Sequence, residues 1–248
     1  ELTLGKQGSA AGDFQSPAGL ALDAEGYLYV ADSGNHRIQV FAPDGKFFAM
    51  FGEKGSEPGQ LKSPTGVALS PDGVVFVLDR GDSRVQLFSK DGIFYRALEV
   101  GYPSRGVAVD AAGRFYTINS KTRQVDIWSS AGQLLKSWSG VEPGVKGFGK
   151  PSAMAVDASG QVVAADQSTF QFRLLDVSGK TLGVFGQKGA APGQFRSLDA
   201  LAIAHDVVYV ADRSNRSVTV LLLQRRERPA PLTPAPALRL SVRRGEGL

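Results

Sequence analysis

The chain has 248 residues, 42% of them hydrophobic and 21% charged, with 30 glycines, no cysteine and a formal net charge of +4. This composition fits one globular domain rich in turns, and it excludes disulfides, a thiol nucleophile and thiolate metal ligands. Because residues 1–224 contain 22 basic and 22 acidic residues, whereas residues 225–248 contain six and two, the overall charge is no argument that the domain binds nucleic acid.

One sequence pattern recurs five times along the chain. Its equivalent positions are spaced by 47, 40, 47 and 47 residues, and they are occupied by Gly19, Gly66, Gly106, Ala153 and Ala200. A fixed period of this size is typical of repeat architectures, in which each unit buries its faces against its neighbours. No apolar run approaches the roughly 18 residues of a membrane-spanning helix.

Each repeat contains four short apolar runs separated by turn residues. In the first repeat the runs predict strands at 19–23, 27–31, 38–41 and 46–51, with tight turns at Asp23–Gly26 and Pro43–Gly45. Four strands at this period are typical of a propeller blade. The sequence therefore predicts an all-β fold, a β-propeller of four-stranded antiparallel blades, with five repeats visible.

Two segments carry a resemblance to a known family. Val30–Phe41, followed by Pro43–Gly45, closely resembles the NHL repeat, and Leu78–Phe88 is a second match. The loop Gly55–Leu61, which returns as Gly189–Phe195, is also similar to an NHL element. This resemblance covers residues 1–224 and implies the propeller fold, whereas the family includes scaffolds, receptor domains, RNA binders and a few enzymes.

Closure of the propeller has two interpretations. Glu1–Gly5 aligns with the fourth strand of a repeat, so the N-terminal strand is expected to complete the last blade and to remove exposed edges. NHL-like propellers usually have six blades, and the alternative is a sixth blade outside this sequence. Residues 225–248 are predicted to be a Pro- and Arg-rich linker or tail of a longer multidomain chain, although Leu238–Val242 could add a strand.

Charge divides between the two loop faces of the predicted propeller. The face formed by the turns between second and third strands and by the connections between repeats has 15 basic and ten acidic residues, whereas the opposite face has four and nine. Such a field favours an anionic partner on the basic face, but solvated turn residues would give the same pattern. The candidate binding residues on this face are Arg37, Arg84, Arg105, Arg123, Asp199 and Arg216.

Two sets of polar residues on this face each have a structural interpretation besides a functional one. Asp32, Asp79, Asp166 and Asp212 each end a second strand, where a carboxylate is expected to accept backbone N–H bonds and, in two repeats, to pair with Arg37 or Arg84. Arg105 and Asp199 are the charged residues at the entry of the first strands, near the predicted channel. They are candidates for binding a small polar ligand, and a salt bridge or solvation is the alternative.

The sequence supports a catalytic function less well than a binding function. The amidating lyase related to NHL propellers requires several histidines, and this chain has only His36 and His205, in turns on opposite faces. Lactonase-like propellers use converging carboxylates around a cation, and Asp199 stands alone. We therefore predict no metal site, no cofactor and no catalytic residue.

The predicted function is a non-catalytic scaffold that binds a protein or polysaccharide. The alternatives are RNA binding through the basic face, as in tripartite-motif NHL proteins, and a metal-dependent hydrolase or lyase of the six-bladed type. The sequence does not decide the compartment: it slightly favours a periplasmic or extracellular location, and a cytoplasmic one is also compatible with it.

Overall fold

A computed structural model describes residues 3–141, 146–157, 159–204, 207–224 and 239–243 of the chain. These residues form twenty strands and two single turns of 3-10 helix, Ser33–Asn35 and Arg80–Asp82. The strands are β1 (Pro17–Leu22), β2 (Leu28–Asp32), β3 (Arg37–Phe41), β4 (Phe47–Phe51), β5 (Pro64–Leu69), β6 (Val75–Asp79), β7 (Arg84–Phe88), β8 (Phe94–Glu99), β9 (Ser104–Val109), β10 (Phe115–Asn119), β11 (Gln124–Trp128), β12 (Leu134–Trp138), β13 (Pro151–Val156), β14 (Val162–Asp166), β15 (Gln171–Leu175), β16 (Thr181–Phe185), β17 (Ala200–Ala204), β18 (Val207–Asp212), β19 (Ser217–Gln224) and β20 (Arg239–Arg243).

The strands form five four-stranded sheets, each made of consecutive strands. Sheets 1 to 5 contain β1–β4, β5–β8, β9–β12, β13–β16 and β17–β20. Neighbouring strands pair antiparallel, as in β1 with β2 and β6 with β7. The predicted all-β fold of four-stranded β-propeller blades is therefore confirmed, and the strands predicted for the first repeat are correct within two residues at each end.

The first compact unit, Glu1–Ser137, holds sheets 1 to 3, with β12 ending one residue beyond it. Alternate residues point to two faces of each sheet. We call the face with Leu20 and Val30 in sheet 1, and its equivalent in other sheets, the front face, and the opposite one the rear face. The front of sheet 2 packs on the rear of sheet 1 in one buried cluster, and the front of sheet 3 packs on the rear of sheet 2 in another.

The repeated glycine at the first strand reflects the close approach of neighbouring sheets. A Cβ atom on Gly19 would lie 2.7 Å from the Cα of Gly66 on the next sheet, and one on Gly66 would lie 3.0 Å from Cγ1 of Val107. Side chains at Gly19 would push β1 away from β5. The glycine period thus follows from packing between sheets.

The second compact unit, Trp138–Leu248, holds sheets 4 and 5. Its core repeats the arrangement of the first unit. Val208, Val210 and Leu221 on the front of sheet 5 pack against Val163 and Phe172 of sheet 4. The same face-to-face order therefore holds within both units.

The prediction that the N-terminal strand completes the last blade is wrong. The fourth strand of sheet 5 is β20, which pairs with β19 from Val220↔Arg243 to Gln224↔Arg239. Residues 3–16 contain no strand and form a loop against sheet 1, held by a bridge between Gln7 and Phe14. Because β20 takes the hydrogen-bonding edge of β19, that edge is occupied without the N-terminal segment.

The predicted boundary at residue 224 stays a prediction. Residues 225–238, which contain the proline-rich part of the predicted linker, lie outside the described residues. Arg239–Arg243 forms β20, which agrees with the alternative that Leu238–Val242 adds a strand. In the part of the chain that the structure describes, no helix has the length and apolar character needed to cross a bilayer.

Candidate functional site

The predicted binding residues lie at the end of the sheets where the second strand turns into the third. Four aspartates end second strands there, and all four are buried: Asp32, Asp79, Asp166 and Asp212. Each accepts backbone N–H bonds from the connection that precedes its own sheet, for example from Lys62 and Ser63 to Asp79 Oδ1 at 3.0 and 2.9 Å. Their predicted structural role is confirmed, although most of the N–H donors precede the sheet rather than follow the aspartate.

Arg37 and Arg84 are buried beside these carboxylates. Arg37 Nε lies 3.0 Å from Asp32 Oδ2, and Arg84 Nε lies 3.3 Å from Asp79 Oδ2. The Arg84 guanidinium also donates to the carbonyls of Ser56 at 2.7 Å and Gln60 at 2.9 Å. The guanidinium groups of Arg37 and Arg84 bond to carboxylates and carbonyls inside the protein and therefore hold the connecting loops. The burial of these two arginines does not fit their predicted use as surface contacts.

In sheets 1 and 2, a glutamine two residues after each of these arginines also holds the preceding loop. We call the side chains of one sheet that hold its preceding loop the anchor of that sheet. Gln39 accepts the N–H of Gly12 at 2.8 Å and donates to the carbonyl of Asp13 at 2.7 Å. Gln86 makes the equivalent bonds to Gly59 and Gln60, at 3.0 and 2.6 Å. Each preceding loop is therefore fixed by an Asp, an Arg and a Gln from one sheet.

Sheet 3 uses different residues at the same positions. Asp126 replaces the glutamine, and its Oδ2 accepts hydrogen bonds from Tyr102 Oη at 2.5 Å and from Asn119 Nδ2 at 3.1 Å. Tyr102 Oη also lies 2.8 Å from Thr117 Oγ1, which accepts a bond from Trp128 Nε1. Burial, followed by the Asp126 hydrogen bond, raises the pKa of Tyr102.

In the second unit, the aspartates are held mainly by N–H and hydroxyl donors. Burial disfavours ionised Asp166, but hydrogen bonds from Ser168 and from the N–H groups of Gly149 and Lys150 outweigh it and keep its pKa below the usual value. In sheet 4 the loop anchor is Arg173, which donates to the carbonyl of Gly140 at 2.6 Å and lies over the ring of Phe148. The guanidinium reaches its loop from the position that glutamine occupies in sheets 1 and 2.

Several cations of the first unit are exposed at this end of sheets 2 and 3, and four of them lie in or next to the strands and turns of these sheets. Arg105 follows the first residue of β9, which pairs with the end of β10, and the turn after β10 carries Lys121 and Arg123. Arg80 starts the corresponding turn of sheet 2, and β6 contacts β9. All four side chains are exposed. We call Arg80, Arg105, Lys121 and Arg123 the basic patch.

Asp199 and Arg216 of the second unit have separate surroundings. Asp199 Oδ2 accepts bonds from Ser197 Oγ at 2.6 Å and from the N–H of Arg213 at 3.1 Å, and the Arg213 side chain lies 3.5 Å from Oδ1. The pair of Asp199 and Arg213 is a salt bridge, which the sequence left open as the alternative to ligand binding by Asp199. Arg216 is exposed in the turn before β19. Joint ligand binding by Arg105 and Asp199 stays a prediction.

Metal-ligating side chains do not converge in the described residues. Within them, no group of three or more His, Asp or Glu side chains has the arrangement of a metal site. His36 Nδ1 lies 2.7 Å from the carbonyl oxygen of Lys62, so this ring bridges sheets 1 and 2. His205 lies outside the described residues.

Comparison with known proteins follows the repeat pattern. The family model described as NHL repeat matches residues 14–41 and 61–88, which span the anchors of sheets 1 and 2. This chain contains NHL repeats. "Protein brain tumor" of Drosophila melanogaster is 30% identical over 184 residues, or 74% of this chain and 14% of that protein. "E3 ubiquitin-protein ligase TRIM71" of Rattus norvegicus is 48% identical over 46 residues, or 18% of this chain and 5% of the ligase.

Solved structures agree on the fold. A chain of the nidogen/laminin complex superposes with a TM-score of 0.67 at 21% identity, covering 83% of this chain and 75% of that chain. Virginiamycin B lyase from Staphylococcus aureus superposes with a TM-score of 0.61 at 13% identity, covering 82% and 66%. At these identities the likeness concerns the fold alone. The NHL-repeat chain also spans only a small part of the curated relatives that it matches.

The anchoring roles of Tyr102 and Asp126 were not predicted from the sequence. The signal was present in the connection before β9, which is shorter than the others, and in the replacement of the repeat arginine by Gln124. A shorter loop offers fewer carbonyl groups to an arginine. The two departures together therefore indicate that a different anchor occupies sheet 3.

Proposed function

We propose that this NHL-repeat chain is a non-catalytic scaffold that binds a protein or polysaccharide through the basic patch. The observation that carries the proposal is the contrast between buried and exposed charges at one end of the sheets. Asp32 and Asp79 are fully buried and paired with Arg37 and Arg84, so these four charges are withdrawn from the surface. The exposed basic patch is left to contact an anionic partner.

The patch has the properties of a contact surface on a rigid support. Arg105 is the second residue of β9, and Lys121 and Arg123 lie in the turn after β10, whose last residue Asn119 pairs with Ser104 and Gln124. Ser104 Oγ accepts the N–H of Ile118 at 3.0 Å, and Asn119 Oδ1 accepts the N–H groups of Lys121 and Thr122. Binding would therefore require little ordering of the backbone.

Charge reversal tests the patch directly. We expect the triple variant Arg80→Glu, Arg105→Glu and Arg123→Glu to lose partners captured from a lysate of the source organism, measured by quantitative mass spectrometry. A matched triple variant, Lys46→Glu, Arg96→Glu and Lys136→Glu, changes the net charge equally at exposed positions away from the patch and should keep them. Equal capture by wild type and both variants would contradict the choice of surface. A bound cation in purified protein would contradict the non-catalytic assignment.

RNA binding is the second candidate function. The exposed basic patch favours it, whereas the balanced charge of residues 1–224 does not. Single-stranded RNA would bind with an affinity that falls with salt, with a slope of about −0.7 per neutralised phosphate. We expect a fluorescein-labelled single-stranded RNA to show this slope with wild type and to lose affinity with the patch variant. Salt-independent binding, or equal binding by both proteins, would contradict this candidate.

A further inference from the structure

The edge of β4 that faces away from β3, which we call the outer edge, has no pairing strand among the described residues. Sheet 1 ends with β4, which pairs with β3 alone. Neighbouring sheets of the first unit meet through their first strands, since β1 contacts β5 and β5 contacts β9. The fourth strand is therefore the edge farthest from these contacts, and a sheet packed on either face of sheet 1 would not pair with it.

β4 lacks the side chains that commonly protect an edge strand. Charged residues, among other devices, keep edge strands from pairing with other chains. The sequence of β4 is Phe-Phe-Ala-Met-Phe, whereas three other fourth strands carry charges: Arg96 and Glu99 in β8, Lys136 in β12, Arg239 and Arg243 in β20. β16 is uncharged, but Gly183 at its centre weakens it as a strand. A bulge before the central residue occurs in sheets 1, 2 and 4 alike, so the side chains make the difference.

The central residues of β4 are apolar and leave room for a close neighbour. Phe48 is 60% exposed although the centre of its ring lies 5.0 Å from that of Tyr27, which packs on the cluster between sheets 1 and 2. Ala49 follows it at the middle of the strand. At the equivalent position, sheets 2 and 3 have the exposed cations Arg96 and Lys136. Sheet 1 therefore has a methyl group where its two neighbours present a long charged side chain.

We propose that two copies of this chain pair antiparallel through the outer edges of β4, with the two Ala49 residues opposite each other at a twofold axis. In this register Phe48 of one copy opposes Met50 of the other, and Phe47 opposes Phe51, so that apolar side chains meet along the whole strand. Opposed residues belong to the same alternate set of the strand. Backbone N–H and C=O groups that point away from β3 in one copy therefore meet the corresponding groups of the other.

The charges at the two ends of β4 favour a second copy as the partner. Lys46 precedes the strand and Glu53 follows it, and both side chains are exposed. The contact of Lys46 with Asp44 in its own chain joins two exposed side chains and is therefore weak. Antiparallel pairing brings the Lys46 end of one β4 to the Glu53 end of the other, and the twofold axis repeats this contact. Opposite charges thus meet at both ends of the paired strands.

Sedimentation of the full chain over a concentration series tests the proposal. Wild type should change from monomer to dimer and form nothing larger, because a twofold contact uses the edge of both copies. Ala49→Lys places two like charges at the axis and should raise the dissociation constant at least about tenfold. The control Leu135→Lys adds the same charge at an exposed position of β12 and should dimerise as wild type does.

A charge exchange at the axis tests the register. Ala49→Glu should also stay monomeric, whereas an equimolar mixture of Ala49→Glu and Ala49→Lys should form the dimer again. Since the chain has no cysteine, Ala49→Cys should give a disulfide-linked dimer under mild oxidation, and Leu135→Cys should not.

Three results would overturn the proposal: monomeric wild type at every concentration, which would leave the edge to an extended peptide or to no partner; a dimer that Ala49→Lys does not weaken; or a mixture that stays monomeric. Unfolding curves show whether the variants fold. Phe48→Lys tests the same edge if Ala49→Lys does not fold.

Discussion

Sheets 2 and 3 are neighbours with the same topology, but they anchor their loops by different chemistry. Sheet 2 fixes residues 52–63 with Asp79, Arg84 and Gln86, and charged side chains meet inside the protein. Sheet 3 follows the short connection of residues 100–103 and uses Tyr102 with Asp126. The difference teaches that a short preceding loop goes with a different anchor, because an arginine needs carbonyl oxygens that a short loop does not offer.

The largest expected effect is at the charged anchor. Asp79→Asn removes the buried carboxylate 3.3 Å from Arg84 Nε and leaves the guanidinium with Asp82, whose Oδ2 lies 3.5 Å from Arg84 Nη2. We expect a loss of about 3–5 kcal/mol in the free energy of unfolding. Urea denaturation at pH 7 measures it. Asp91→Asn, at an exposed turn of the same sheet, should change stability by less than about 0.5 kcal/mol. A loss at Asp79 no larger than that at Asp91 would show that the pair adds nothing.

The tyrosine of sheet 3 should have an intermediate effect. Tyr102→Phe removes the hydroxyl that donates to Asp126 Oδ2 and contacts Thr117 Oγ1, while the ring keeps its packing. We expect a loss of about 1–3 kcal/mol at pH 7, since a buried acceptor loses its donor. The exposed Tyr95→Phe is the matched control, and an equal effect of both substitutions would contradict an anchoring role for Tyr102.

Alkaline pH should destabilise the protein in part through the sheet 3 anchor. Burial and the Asp126 hydrogen bond raise the pKa of Tyr102 above its usual value near 10, and burial with Asp110 does the same for Tyr116. Stability from each raised pKa is complete below pH 10 and is lost as the pH rises above it, because only the unfolded tyrosine then ionises. The loss is up to about 1.4 kcal/mol per pH unit for each tyrosine.

Unfolding free energies at pH 9, 10 and 11 test this linkage. Wild type should lose stability across the series, and Tyr102→Phe should lose less between pH 10 and 11 because one of the contributing tyrosines is gone. Identical slopes for the two proteins would rule out a contribution from Tyr102.

The repeat period and turn residues were sufficient to predict the fold and the structural use of the aspartates. Asp32 and Asp79 occupy the same repeat position, each two residues before a glycine and five before an arginine, so one explanation covers both. The sequence did not predict that Arg37 and Arg84 are buried. An arginine after a turn has the same sequence pattern whether its side chain is solvated or bonds to a preceding loop. It gave β20 only as the alternative that Leu238–Val242 adds a strand, and it did not predict the pairing of Arg239–Arg243 with β19, which depends on an edge distant in sequence.

The smallest expected effect is at Asp126, and it distinguishes the two anchors most sharply. Asp126 is buried, its Oδ1 accepts no hydrogen bond from the described residues, and both donors to its Oδ2 are uncharged. An asparagine can keep the oxygen that accepts from Tyr102 while removing a buried charge. We therefore expect Asp126→Asn to change the free energy of unfolding by less than about 1 kcal/mol at pH 7, measured beside Asp79→Asn. Equal losses at the two positions would mean that sheet 3 depends on charge as sheet 2 does.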